Sequence, residues 1–239
     1  MTHIDSFTTK AFSTESRRAP SRTVLIVLGP PGAGKGTQCK TVGELKNIPH
    51  VSTGELLRNH VRRGTHLGSQ VQGIMDQGGL VPDALVLEMI QDRIAQPDCA
   101  GGLILDGFPR TLEQARSLDH SLSAWTPPPA LIVVLLVVSR SSLLKRLSDR
   151  QLCTACGAVY GSSARLPRVP GRCDVDGGSL EFRRDDRQDT ALERLRIYEQ
   201  EISPIVNHYR RRDWVLEIDG DQRVEDVTAD ILKALRFLR

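Results

Sequence analysis

Aromatic side chains are scarce in this chain of 239 residues: five Phe, three Tyr and two Trp, or 4% in all. Proteins that hold single-stranded nucleic acid on stacked ring platforms need more. An excess of one charge is missing too, since the formal net charge of +3 falls short of a nucleic-acid footprint. Lysine is rare, six against 26 arginines. A compositional bias explains most of those arginines, so functional weight falls only on those at motif positions. Long apolar runs are absent. The longest is the nine-residue stretch Ala130 to Val138, whereas a membrane-spanning helix takes about 20. No membrane or nucleic-acid partner is therefore expected, and a cytoplasmic location is. Residues 1–21 hold eight Ser or Thr, three basic and two acidic residues and no apolar core. That excludes a secretory signal and points to a disordered extension, with an organelle transit peptide as the alternative.

What is present begins with a loop. The apolar run Thr23 to Leu28 leads straight into Gly-Pro-Pro-Gly-Ala-Gly-Lys-Gly-Thr, Gly29 to Thr37. Glycines let the backbone curl so that successive N–H groups face an anion, Lys35 adds a mobile positive charge, and a following helix presents its positive end. Gly/Pro clusters often mark a turn and nothing more, but this strand–loop–helix setting indicates a polyphosphate site. One feature departs from the usual pattern: Gly36 follows the lysine, and the hydroxyl arrives one residue later at Thr37.

Apolar, β-branched segments recur at 23–28, 102–105, 130–137 and 214–218, with a shorter one around Ile48 to Val51. Helical spacing fills the intervals at 35–46, 55–62, 66–77, 83–95, 111–121, 141–150, 188–211 and 223–237. Such alternation predicts an α/β fold, a parallel sheet covered by helices on both faces. Two stretches interrupt it. Residues 52–81 carry helices without a strand and suggest a helical insertion beside the loop. Residues 151–186 are rich in Gly, Pro, Cys and charge, and suggest a small metal-bound β lobe.

In that lobe Cys153 and Cys156 are followed, after sixteen residues, by Cys173, with Asp176 just beyond. This is zinc-ligand spacing with a carboxylate in place of the fourth thiolate. Disulfides are unattractive in a chain with an odd cysteine and no secretory signal. Four filled positions leave none open for water, so the zinc is expected to be structural. Asp174 is a neighbouring carboxylate with poorer spacing. Cys39 and Cys99 lie elsewhere and read as buried, inert thiols.

Three further segments bear on the reaction. Ser52 to Arg58 opens the insertion with a capping residue and an arginine one turn on. Leu105-Asp106-Gly107-Phe108-Pro109-Arg110 ends a strand with an acid suited to Mg²⁺ through water and an arginine suited to phosphate. Arg183-Arg184-Asp185-Asp186, then Arg194, leaves the cysteine lobe. A lone arginine is usually a solvated surface charge. Set at strand ends and lobe hinges, these could converge on one phosphoryl group, whose transfer needs positioning and charge stabilisation.

With these motifs in this order, residues 23–232 resemble the adenylate kinase family in its long-lid, zinc-containing form. The resemblance implies a P-loop three-layer fold with a five-stranded parallel sheet. It implies a core (22–51, 82–148, 187–239), an AMP-binding lobe (52–81) and a lid (149–186). It also implies a monomer that transfers a phosphoryl group reversibly from Mg²⁺-ATP to AMP, giving two ADP. Residue by residue, Gly32, Ala33, Gly34, Lys35, Gly36 and Thr37 would cradle ATP, with Arg146, Arg150, Val159, Tyr160 and Gln222 completing its site. Thr53, Arg58, Gly79, Leu80, Val81, Gly107, Phe108, Pro109, Arg110 and Gln114 would contact AMP. Arg183 and Arg194 would close on the phosphates. Lys35, Arg110, Arg150, Arg183 and Arg194 would be catalytic, Asp106 would order Mg²⁺, and Cys153, Cys156, Cys173 and Asp176 would hold Zn²⁺.

Several lid positions depart from the family pattern: Asp149 where glycine is usual, Gln151 for arginine, Gly161 for histidine, and Leu166-Pro167-Arg168 for Pro-Pro-Lys. They bear on lid stiffness, and Asp149 could compete for the charge of Arg150. The rival readings are a kinase acting on UMP or CMP, or using GTP, and, in a different class, a P-loop switch with a nucleic-acid-binding zinc ribbon.

Overall fold

The computed structural model describes residues 22–161 and 165–236. The expected extension at 1–21 lies outside them. Five parallel strands form the main sheet: β1 (Thr23–Leu28), β2 (His50–Ser52), β3 (Gly102–Asp106), β4 (Ala130–Val137) and β8 (Val215–Asp219), in the order β2-β3-β1-β4-β8. The short segment around Val51 is thus an edge strand, pairing Val51 with Leu105. Alternation along the strands divides two buried layers. Val24, Ile26, Leu103, Leu105 and Val133 face one, while Leu25, Val27, Ile104, Val134 and Leu136 face the other. Side chains of successive strand residues point to opposite faces, so strands apolar at every position must be covered on both.

The first layer is covered by α2 (Thr53–Arg62), α3 (His66–Asp76), α4 (Asp83–Ile94) and α5 (Leu112–Ser123), through residues such as Leu57, Val71, Ile90 and Leu118. The second is covered by α1 (Lys35–Lys46), α6 (Arg140–Ser148) and α8 (Val224–Arg236), through Val42, Leu147 and Ile231. The long α7 (Gln188–Arg210) serves both: Ala191 and Leu195 join the second layer, Ile205, Val206 and Tyr209 the first. Helix starts are fixed locally, as where Thr111 accepts the Gln114 N–H and Thr65 the Gly68 N–H.

Residues 151–182 form a separate antiparallel sheet of β5 (Gln151–Cys153), β6 (Val159–Tyr160) and β7 (Leu180–Phe182), ordered β6-β5-β7. A short 3₁₀ turn at Arg184–Asp186 returns the chain to α7. The chain runs outward from β1 to edge strand β2, returns through β3, then crosses β1 to β4. The carboxyl ends of β1 and β3 therefore flank the point where ligands of open α/β sheets bind.

Candidate active site

At the end of β1 the backbone turns through Gly32 and Gly34, with φ of 85° and 91°. Only glycine adopts these values without strain. Gly34 is the residue before α1, and no side chain caps that helix start. Its first N–H groups remain available for an anion, with the positive end of the helix behind them. Lys35 folds back over the loop, donating from Nζ to the carbonyls of Gly29 at 2.7 Å and Pro30 at 2.9 Å. Burial pulls its pKa from 10.5 down to about 8, and the nearby Arg110 and Arg194 work in the same direction against Asp106.

Asp106, at the end of β3, is buried with Oδ2 3.2 Å from His50 Nε2. Burial pushes this carboxyl upward, yet the His50 contact and the Lys35 charge outweigh it and hold the group below the usual carboxylate range. It is an ionised oxygen donor beside the phosphate loop, which fits the expected magnesium role.

Beyond Asp106 an open cleft lies between α2, α3 and the β3 end, lined by Thr53, Arg58, Gly79, Leu80, Val81, Gly107, Arg110, Gln114 and Arg194 among others. Most residues expected on the acceptor side meet there. Thr53 donates its hydroxyl to the Gly107 carbonyl at 3.0 Å. Arg110 is held by its Nε on that carbonyl at 2.9 Å, and its backbone N–H donates to Gln114 Oε1 at 2.8 Å. The Gln114 amide nitrogen in turn donates to Asp83 at 2.7 Å, and the Thr111 hydroxyl reaches the same carboxylate at 2.6 Å. Asp83 was not expected in the site; its only signal was a carboxylate in the first turn of α4.

Where the cysteine lobe returns to α7, Asp185 and Asp186 gather arginines. Arg150 donates to both oxygens of Asp186, at 2.6 Å and 2.5 Å, and Arg194 meets Asp186 at 2.8 Å and Asp185 at 3.2 Å. Arg58 stands 4.0 Å from Asp185. The sequence marked Asp149 as a possible competitor for the charge of Arg150; the structure pairs Arg150 with Asp186. Arg183 Nε is buried with no hydrogen-bond partner. Burial, then repulsion from Arg150 and Arg58, lowers its pKa to about 9. Arg110 falls to about 10, through burial and then Arg194. Lys35 and the arginines at 58, 110, 150, 183 and 194 thus outnumber the carboxylates of Asp106, Asp185 and Asp186, and an anion would relieve the crowding.

The remaining donor-side positions are placed as follows. Arg146 donates to the Gly220 carbonyl at 2.9 Å and lies 3.6 Å from Asp221, next to Gln222. Tyr160 is turned into the cysteine lobe, its hydroxyl 3.3 Å from Cys173 Sγ. There Cys153, Cys156, Cys173 and Asp176 bring their ligand atoms within 4.8 Å of one another. Cys156 and Cys173 sulfurs are 3.6 Å apart, and the N–H groups of Cys156 and Val175 point at the sulfurs of Cys153 and Cys173. The Gly178 N–H holds the Asp176 carboxyl well below its usual range. Three sulfurs and an ionised carboxylate at this spacing fit a tetrahedral zinc. Asp174 instead accepts the Arg168 N–H.

The family model described as adenylate kinase matches residues 27–214. The chain belongs to the adenylate kinase family. Among curated relatives, the adenylate kinase of Archaeoglobus fulgidus is 44% identical over 215 residues, covering 90% of this chain and 99% of its own length. That of Moorella thermoacetica is 44% identical over 211 residues (88% and 97%), and that of Methanocella arvoryzae 42% over 213 (89% and 98%). The family match spans the phosphate loop, the acceptor cleft and the cysteine lobe, and stops before Gln222. None of the described helices is long and apolar enough to cross a membrane.

Proposed function

We propose residue roles for the reaction this adenylate kinase family member catalyses, the reversible transfer of a phosphoryl group between ATP and AMP giving two ADP. The observation that carries the assignment is the surplus of cationic groups around the cleft between the β1 and β3 ends. ATP lies on the loop Gly32–Thr37, its phosphates on the N–H groups at the start of α1. Arg146, the backbone of Val159 and Tyr160, and the Gln222 carbonyl complete its site. AMP fills the cleft between Thr53, Arg58, the segment Gly79–Val81, Gly107–Arg110 and Gln114. An AMP phosphate oxygen attacks the γ-phosphorus in line, the bond to the β–γ bridging oxygen breaks, and ADP leaves. Because the acceptor is already a phosphate, no general base is needed. Lys35 follows the transferred group, and Arg110, Arg150, Arg183 and Arg194 stabilise charge on its oxygens. Asp106 would hold magnesium through water, and the ion would supply charge neutralisation on the ATP phosphates.

Residues 149–186 act as the lid, 52–81 as the AMP lobe, and the rest of 22–239 as the core. Lid closure excludes water that would otherwise hydrolyse ATP. Zinc on Cys153, Cys156, Cys173 and Asp176 gives the lid the rigidity its small apolar interior does not. A cytoplasmic monomer is the working state. Rates of ADP formation from ATP with AMP, CMP, UMP and GMP test the reading. AMP is expected to be preferred, and preference for another monophosphate would overturn the acceptor assignment.

A further inference from the structure

Beside Asp106, and without a role in the transfer, stand Cys39 on α1 and His50 on β2. Their sulfur and ring nitrogen lie with an Asp106 carboxylate oxygen inside a mutual distance of 4.8 Å. His50 Nε2 and Asp106 Oδ2 are already 3.2 Å apart. Cys39 and Asp106 are buried and His50 is partly so. With metal–ligand bonds of about 2.0–2.3 Å, tetrahedral ligand atoms stand roughly 3.3–3.8 Å apart, so shifts of about 1 Å bring the three onto one ion. Thiolate, imidazole and carboxylate together suit zinc or cadmium; magnesium and calcium take oxygen shells.

We propose that Cys39, His50 and Asp106 form a second, inhibitory site for a thiophilic divalent cation, separate from the cysteine lobe. On binding, the Cys39 S–H proton passes to solvent as the sulfur–metal bond forms, and no electron is transferred. Neutral His50 coordinates through Nε2 and gives up its contact with Asp106. Lys35 and Glu55 are the other charged groups that act on Cys39. Binding withdraws Asp106 from magnesium and sets a divalent charge beside Lys35. The inhibition rests on the role proposed for Asp106; the binding does not.

Protein with its lid metal in place is titrated with Cd²⁺ in the absence of nucleotide, and total bound metal is counted by elemental analysis. One equivalent beyond the lid is expected, with an ultraviolet thiolate-to-cadmium band. Cys39→Ser should lose that equivalent, and His50→Gln should weaken it about tenfold or more. Both should keep the lid metal, and Cys39→Ser should also keep the magnesium-supported rate. A wild type that binds only the lid equivalent, or an extra equivalent that survives in both variants, would overturn the site. With free Zn²⁺ held by a metal buffer, inhibition should be relieved by added Mg²⁺ and be at least about tenfold weaker in Cys39→Ser. An extra equivalent that leaves the rate unchanged would overturn the inhibitory role alone.

Discussion

In the main sheet, Val24, Leu25, Ile26 and Val27 are fully buried between two helical layers, while among the described residues of the lobe built on β5, β6 and β7 the buried hydrophobic ones are Cys153, Tyr160 and Cys173. Leu166, Val169, Val175 and Phe182 of the lobe stand at the surface. The sheet distributes its stabilisation over many apolar contacts, so no single residue there is indispensable to order. With the proposed zinc bound, the lobe would concentrate it in four ligand side chains. Under that proposal, a small element freed from the need for a core would be able to swing over a ligand without tearing a packed interior, at the price of dependence on an ion.

Removal of that ion is the largest expected effect. Structural zinc contributes an apparent ~10–16 kcal/mol in small domains. Cys173→Ser or chelation should strip amide hydrogen-exchange protection from 151–182 by about a thousandfold or more while leaving β1 protected. Equal loss in both regions would erase the contrast. Lys35→Met comes next. It should lower kcat by roughly 10³-fold, the cost of deleting one preorganised charge donor, with no fall in Tm, since a desolvated cation is removed from an otherwise intact fold. A parallel fall in Tm would give Lys35 a structural role instead.

The third effect separates the interiors directly. Ile104→Ala, in the buried sheet, should cost about 2–5 kcal/mol by denaturant unfolding, whereas Phe182→Ala, 62% exposed in the lobe, should stay within about 0.5 kcal/mol. The smallest effect concerns pH. Lys35 carries its charge below about pH 8 when folded and below 10.5 when unfolded. Its desolvation cost is therefore complete below about pH 8 and relieved as pH rises toward 10.5. The stability advantage of Lys35→Met over wild type should shrink across that window, while wild-type kcat/KM for ATP falls by up to about tenfold per pH unit. A constant gap would mean that Lys35 titrates normally.

The sheet was legible because strands apolar at every position have only one way to be buried, and the phosphate loop because Gly32, Gly34 and Lys35 stand at fixed places between a strand and a helix. The lobe was legible through cysteine spacing, although Tyr160 as a support for Cys173 was not. What spacing could not supply was pairing across the chain. His50 and Cys39 meet Asp106 only because β2 lies beside β3 and α1 packs over both, and Asp83 reaches Thr111 and Gln114 across 28 and 31 residues. The pairing of Arg150 and Arg194 with Asp186 likewise depends on how the lobe returns to α7.

The hinge carboxylates recast how the cleft meets its substrates. Asp186 occupies Arg150 and Arg194 much as a phosphate would, and Asp185 stands near Arg58. Under the roles proposed for these arginines, nucleotide binding would be a swap of resident anions for incoming ones. Such an exchange would keep the empty guanidinium groups aligned and would discourage stray anions too weak to displace a tethered one. It would also release the two aspartates where the lobe returns to the core, so that loading the cleft and unlocking the proposed lid would become one event.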